Sequence, residues 1–125
     1  MTWYAAHLVL YVKYKEHAQD RFPFWENIVL VAADTEDEAF AKAEERGRAD
    51  EGDSQGSFHW DGKPATWVFA GIRQLILCQD EKERPGDGTE VTYNELEAGS
   101  LEELNRFVEG ETAAVRYLGS DAFVD

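Results

Sequence analysis

The sequence has no apolar run long enough to cross a bilayer, a single cysteine, and no histidine pair at metal-binding spacing. Each absence removes a class. A membrane-spanning helix needs about 20 predominantly apolar residues, so no membrane span is expected. Cys78 cannot form an intrachain disulfide on its own, which fits a reduced, cytoplasmic protein. His7, His17 and His59 make no HxH, HxxxH or HExxH pattern, so no single element encodes a zinc site and no metal or cofactor is expected. The opening MTWYAAHLVLYVKYK lacks a basic segment followed by a small-residue cleavage site, so no signal peptide is expected. Catalytic signatures and phosphate-cradling glycine loops are also missing.

Positive charge is scarce. Twelve Lys and Arg stand against 26 Asp and Glu, a formal net charge of −14. Such a field repels nucleic-acid phosphates and anionic lipid, and attracts basic proteins or loosely held cations. An acidic surface also serves solubility or a saline habitat without any partner. The charge is uneven. In residues 1–30, Lys13, Lys15 and Arg21 balance Glu16, Asp20 and Glu26, whereas residues 31–60 and 91–125 each carry a net −6.

What is present reads as one α+β domain over residues 1–125. Residues Trp3 to Tyr14 alternate as a strand, with Tyr4, Ala6, Leu8, Leu10 and Val12 on one face. The other face, with Trp3, His7, Val9 and Tyr11, is also apolar enough to need a cover. Phe24 to Ala33 predicts a second strand, a hairpin partner of the first. Thr35 and Glu38 form a capping box, and Glu36, Asp37 and Glu38 place negative charge at the helix N-terminus. Ala39, Phe40 and Ala43 share one face of the helix that follows, with Gly47 as its stop.

Arg48 to Ser57 predicts a mobile loop, then strands at Ser57–Trp60 and Ala65–Cys78, with Gly71 marking a bulge. A charged loop from Gln79 to Gly88 leads to a short strand from Thr89 to Glu97. Ser100 and Glu103 repeat the capping pattern before a shorter helix, and Ala113–Leu118 closes the chain as a strand. The expected architecture is a mostly antiparallel sheet of five or six strands in the order β-β-α-β-β-β-α-β, with a ferredoxin-like arrangement as the alternative.

The WYAA opening, WENIVLV, the DEAFAKAEE helix, TWVFAG and the DGTEV strand resemble the bacterial family called domain of unknown function 4288. Trp3, Tyr4, Glu26, Ala39, Ala43, Trp67, Phe69 and Gly71 carry the resemblance, which covers about residues 3–97 and leaves residues 98–125 as an extension. The resemblance implies a fold and no mechanism.

Two functional readings follow. One is a non-catalytic protein-interaction module whose partner is a protein, a basic one by charge; small acidic immunity proteins share this composition. The other is a small-molecule binder or enzyme. Glu26 and Arg73 each interrupt an apolar strand and are expected to lie together. Lining by Trp25, Trp60 and Trp67, with His59 nearby, would raise a carboxyl pKa and make a general acid or base. A structural ion pair is the simpler role for Glu26 and Arg73. Cys78, at the end of an apolar run, reads as a buried hydrophobe rather than a nucleophile. Neither Asp50–Asp53 nor Asp80–Asp87 supplies the ligand order of a calcium loop. The second apolar face of the first strand requires either the segment Ala113–Val124 or a second copy of the chain as its cover.

Overall fold

The computed structural model describes residues 2–78 and 84–118. Its elements follow the expected order: β1 (Thr2–Tyr14), β2 (Phe24–Ala33), α1 (Glu36–Ala49), β3 (His59–Trp60), β4 (Lys63–Leu77), β5 (Leu96–Ala98), α2 (Leu101–Val108) and β6 (Val115–Tyr117). The strands do not make one sheet. Four form an antiparallel sheet in the order β2-β1-β4-β3, and β5 pairs with β6 in a separate hairpin-like pair. The ferredoxin-like alternative does not apply, because β1 and β2 are adjacent partners with no helix between them and the sheet order is β2-β1-β4-β3.

The long apolar β1 becomes the central strand because both of its edges and both of its faces can be buried there. It pairs with β2 without a register shift over ten residue pairs, Thr2 opposite Ala33 through Tyr11 opposite Phe24. Against β4 the register slips twice, once at each side of Leu8 and Val9. Arg73 and Ala70 are the extra residues, and Gly71 lies between them with φ +148°, a backbone conformation that favours glycine.

One sheet face carries Tyr4, Ala6, Leu8, Leu10, Val31, Ala33, Phe69 and Leu75, and α1 covers it. The Thr35 hydroxyl accepts the Glu38 N–H at 3.1 Å, and the Glu38 carboxylate accepts the Asp34 N–H at 2.6 Å. The helix does not stop at Gly47 but runs to Ala49, capped by Asp50. Ala39, Ala43 and Gly47 are its buried residues, spaced four apart on one stripe. A Cβ at Gly47 would overlap the Phe69 ring. This glycine therefore sets helix-to-sheet distance rather than termination.

Residues 50–58 are pinned rather than loose. Gly52 and Trp67 exchange backbone hydrogen bonds of 3.1 and 2.8 Å, the Glu51 carboxylate accepts the Phe69 N–H at 2.8 Å, and Lys15 pairs with Asp53. The strand expected from Thr89 to Glu97 is much shorter: β5 is Leu96–Ala98, and residues 89–95 are not strand. Of the closing segment, residues 119–124 lie outside the described range, as do residues 79–83 of the charged loop.

Two substitutions test this packing. Thr35→Ala is expected to lower unfolding stability by about 0.5–2 kcal/mol, read from denaturant or thermal melts. Gly47→Ala should also destabilise: overpacking costs about 1–3 kcal/mol and exceeds the roughly 1 kcal/mol gained in helix propensity. A Gly47→Ala melt above the parent's would show that the helix has room to lift from Phe69.

Candidate functional site

Strand alternation decides which candidate residues meet. Trp25 stands opposite Leu10, on the helix side of the sheet, whereas Glu26 stands opposite Val9 on the other side. On the helix side Trp25 packs edge-on against Trp67 and Trp60, with centroids 5.1 and 5.5 Å apart, and Phe58 stacks on Trp67. A hollow of about 230 Å³ there is lined by Leu10, Trp25, Asn27, Asp50 and Trp67. His59 is exposed, and its Nδ1 lies 2.9 Å from the Ser57 carbonyl. The pocket expected to combine Trp25, Trp60 and Trp67 with Glu26, His59 and Arg73 is therefore divided: the tryptophans line one face and the Glu26–Arg73 pair the other.

That pair belongs to a larger polar relay. Arg73 is the bulged residue of β4, and the bulge turns its side chain onto the face that carries Glu26, across the intervening β1. Its Nε donates to Glu26 Oε2 at 2.5 Å, and its other nitrogen donates to Asn94 Oδ1 at 3.2 Å. The guanidinium also lies 5.0 Å from the centre of the Tyr117 ring. On the far side of the carboxylate, His7 Nδ1 is 3.1 Å from the same Oε2, and His7 Nε2 is 2.5 Å from Thr92 Oγ1. An ionised carboxylate only accepts, so Nδ1 carries the proton and the neutral ring accepts from the Thr92 hydroxyl at Nε2.

This arrangement fastens residues 91–94 and β6 over the second sheet face. Cys78 Sγ adds a 3.4 Å bond to the Val91 carbonyl. Hydroxyl, imidazole and carboxylate in series is also the order that activates nucleophiles in hydrolases. Here the imidazole is wholly buried, and the neighbouring hollow, lined by Val9 and residues 70–73, has Arg73 as its charged group, already engaged with Glu26 and Asn94. The geometry is that of a clamp. Thr92 and Asn94 were not among the residues singled out from sequence; the sequence places His7 only on the second face of the first strand, and Tyr117 falls in the segment Ala113–Val124 expected to cover that face. The available signal was His7 itself, a polar residue in an apolar strand that burial would oblige to find partners.

The clamp covers part of the face. Beyond it, Val9, Tyr11, Phe22 and Phe24 line an open apolar hollow of about 370 Å³, with Phe22 and Phe24 55% and 63% exposed. Ile28 and Leu30 of β2 are exposed on the same side. Among the described residues no three His, Cys, Asp or Glu side chains converge as a metal site, and no helix is long and apolar enough to cross a membrane.

A four-stranded antiparallel sheet, helix-covered on one face and clamped on the other, defines an α+β protein. The family model for the domain of unknown function DUF4288 matches residues 3–93, and the chain belongs to that family. No curated protein and no solved structure matches it. The matched region ends at the clamp, so β5, α2 and β6 lie beyond it.

The clamp has a pH signature. Burial depresses the His7 pKa below its ordinary 6.5, although the Glu26 bond opposes this. Burial would raise the Glu26 carboxyl, but the Arg73 hydrogen bond and charge, with help from His7, hold it below its ordinary 4.5. In both cases the unfolded chain takes up the proton more readily, so acidification destabilises. The His7 contribution is complete above pH 6.5 and is lost as pH falls below it; the Glu26 contribution is complete above 4.5 and is lost as pH falls through its folded value. Thermal melts should show both declines, and His7→Gln should abolish the earlier one. A parent melting temperature that stays flat between about pH 7.5 and about pH 5 would contradict the role given to His7.

Proposed function

We propose that this chain is a non-catalytic protein-interaction module that receives a basic protein partner. The observation that carries the reading is the half-open sheet face, where Val9, Tyr11, Phe22 and Phe24 line an apolar hollow of about 370 Å³. Contiguous apolar surface of this kind, rimmed by polar residues, marks contact sites. Net charge supports the choice of partner: at −14, the chain favours approach by a basic surface and opposes nucleic acid and anionic membrane. The manner is that of an immunity protein, which neutralises a basic target by charge and shape. The compartment that fits a lone buried Cys78 is the cytoplasm.

A small-molecule site is the second reading. The hollow between Trp25 and Trp67 favours it, with Asn27 and Asp50 as polar groups. At about 230 Å³ it falls below the roughly 300 Å³ at which ligand pockets begin.

Affinity capture on the immobilised chain, run at about 50 mM and about 300 mM salt, separates these readings. A protein partner should be retained at low salt, weaken at high salt, and be lost with Phe22→Ser, which alters the hollow without touching a strand. Capture that ignores both salt and Phe22→Ser would place the partner elsewhere.

A further inference from the structure

We infer that two copies of this chain associate by antiparallel pairing of their β2 strands, joining the four-stranded sheets into one continuous sheet. The sheet has two edges, treated differently. On one side β4 is flanked over its first residues by β3, only two residues long, and by the Gly52–Trp67 bridge, and its second half is broken by the bulges at Ala70 and Arg73. On the other side β2 presents ten residues, with β1 as its one paired strand among the described residues.

The direction of the free groups follows from one contact. Lys42 Nζ takes the Ala32 carbonyl at 2.6 Å, so that carbonyl points away from β1. Residues two apart in a strand turn their N–H and C=O to the same edge. The backbone groups of Leu30, Ile28, Glu26 and Phe24 therefore point outward in an unbroken row, with the Lys42 side chain guarding one end.

Edges of this length are normally blunted by proline, by lysine within the strand, or by a bulge. The sequence FWENIVLVAA has no proline and no lysine, and the β1–β2 register has no shift. Its outer positions Phe24, Ile28 and Leu30 are exposed and apolar.

Charge selects a second copy as the occupant. A chain of net charge −14 repels its own kind nearly everywhere. The one charge within β2, Glu26, is held internally by Arg73 and His7, and residues 1–30 are balanced overall. The β2 edge thus carries no unpaired acid of its own to oppose an identical edge. Antiparallel pairing about a two-fold axis is self-complementary and closes, so it gives a dimer rather than a filament. It also sets Phe24, Ile28 and Leu30 of both copies side by side.

The test is light scattering and amide exchange on the full chain. We expect the mass to move from 14.2 kDa toward twice that value with rising concentration. Added salt should strengthen this association by screening like charges, the reverse of its effect on a basic partner. The Glu26, Ile28 and Leu30 amides should exchange more slowly as concentration rises. Ile28→Pro removes an outward N–H and no β1 bond, and should raise the dimer dissociation constant at least about tenfold, as should Leu30→Lys. If Ile28→Pro does not fold, Leu30→Lys and the parent's exchange rates still decide. A chain that stays monomeric at about 200 µM in high salt, or a dimer whose β2 amides are unprotected or that ignores both substitutions, overturns the inference. So does protection of those amides only when a different protein is added, which would make the edge a receptor for a foreign strand.

Discussion

Strand β1 is apolar on both faces, and every other element answers to that. A strand of this composition cannot lie at a sheet surface without exposing either Leu8 and Leu10 or Val9 and Tyr11. It therefore takes the centre, paired to β2 and β4, and each face demands its own cover. Helix α1 covers one face at close range because Ala39, Ala43 and Gly47 present almost no side chain. The other cover comes from much later in the chain, residues 91–94 and Tyr117, and is tied down by polar contacts rather than by apolar packing.

Those polar contacts depend on a backbone irregularity. In a regular β4, Arg73 would alternate with Gln74 and face the helix. The bulge releases it to the other side, where Glu26 lies on the far neighbour of β1. One carboxylate then serves two donors: Arg73 holds the second cover through Asn94, and His7 holds it through Thr92. Satisfying a wholly buried imidazole in this way makes residues 91–94 part of the sheet's polar pairing rather than an appendage. The apolar remainder that this cover does not reach is the hollow lined by Val9, Tyr11, Phe22 and Phe24.

Charge is distributed to match. The acids crowd on α1, the loops and the C-terminal elements, while the first 30 residues are neutral. The two associations proposed for the acidic body and for the open strand edge thus rest on different physics, one weakened and the other strengthened by salt.

Much of the fold was legible in the sequence because its signals are local. Period-two alternation in β1, the Thr35–Glu38 box, the Ala39–Ala43 spacing and the Gly71 bulge each depend on residues within a turn or a strand, and all appear in the structure. Even the meeting of Glu26 and Arg73 was legible, since two opposite charges in apolar strands have few other ways to be buried. What the tertiary structure decided is everything set by which face a strand turns to which neighbour. Alternation already put Trp25 and Glu26 on opposite faces of β2; register then set Trp60 and Trp67 beside Trp25, and the bulge set Arg73 beside Glu26, which dissolved the combined pocket. Packing against Phe69 turned Gly47 from a terminator into a contact. His7 found Thr92 across 85 positions of sequence separation. Alternation, capping and spacing are properties of neighbours along the chain, whereas facing is a property of the assembled sheet, and no local pattern encodes it.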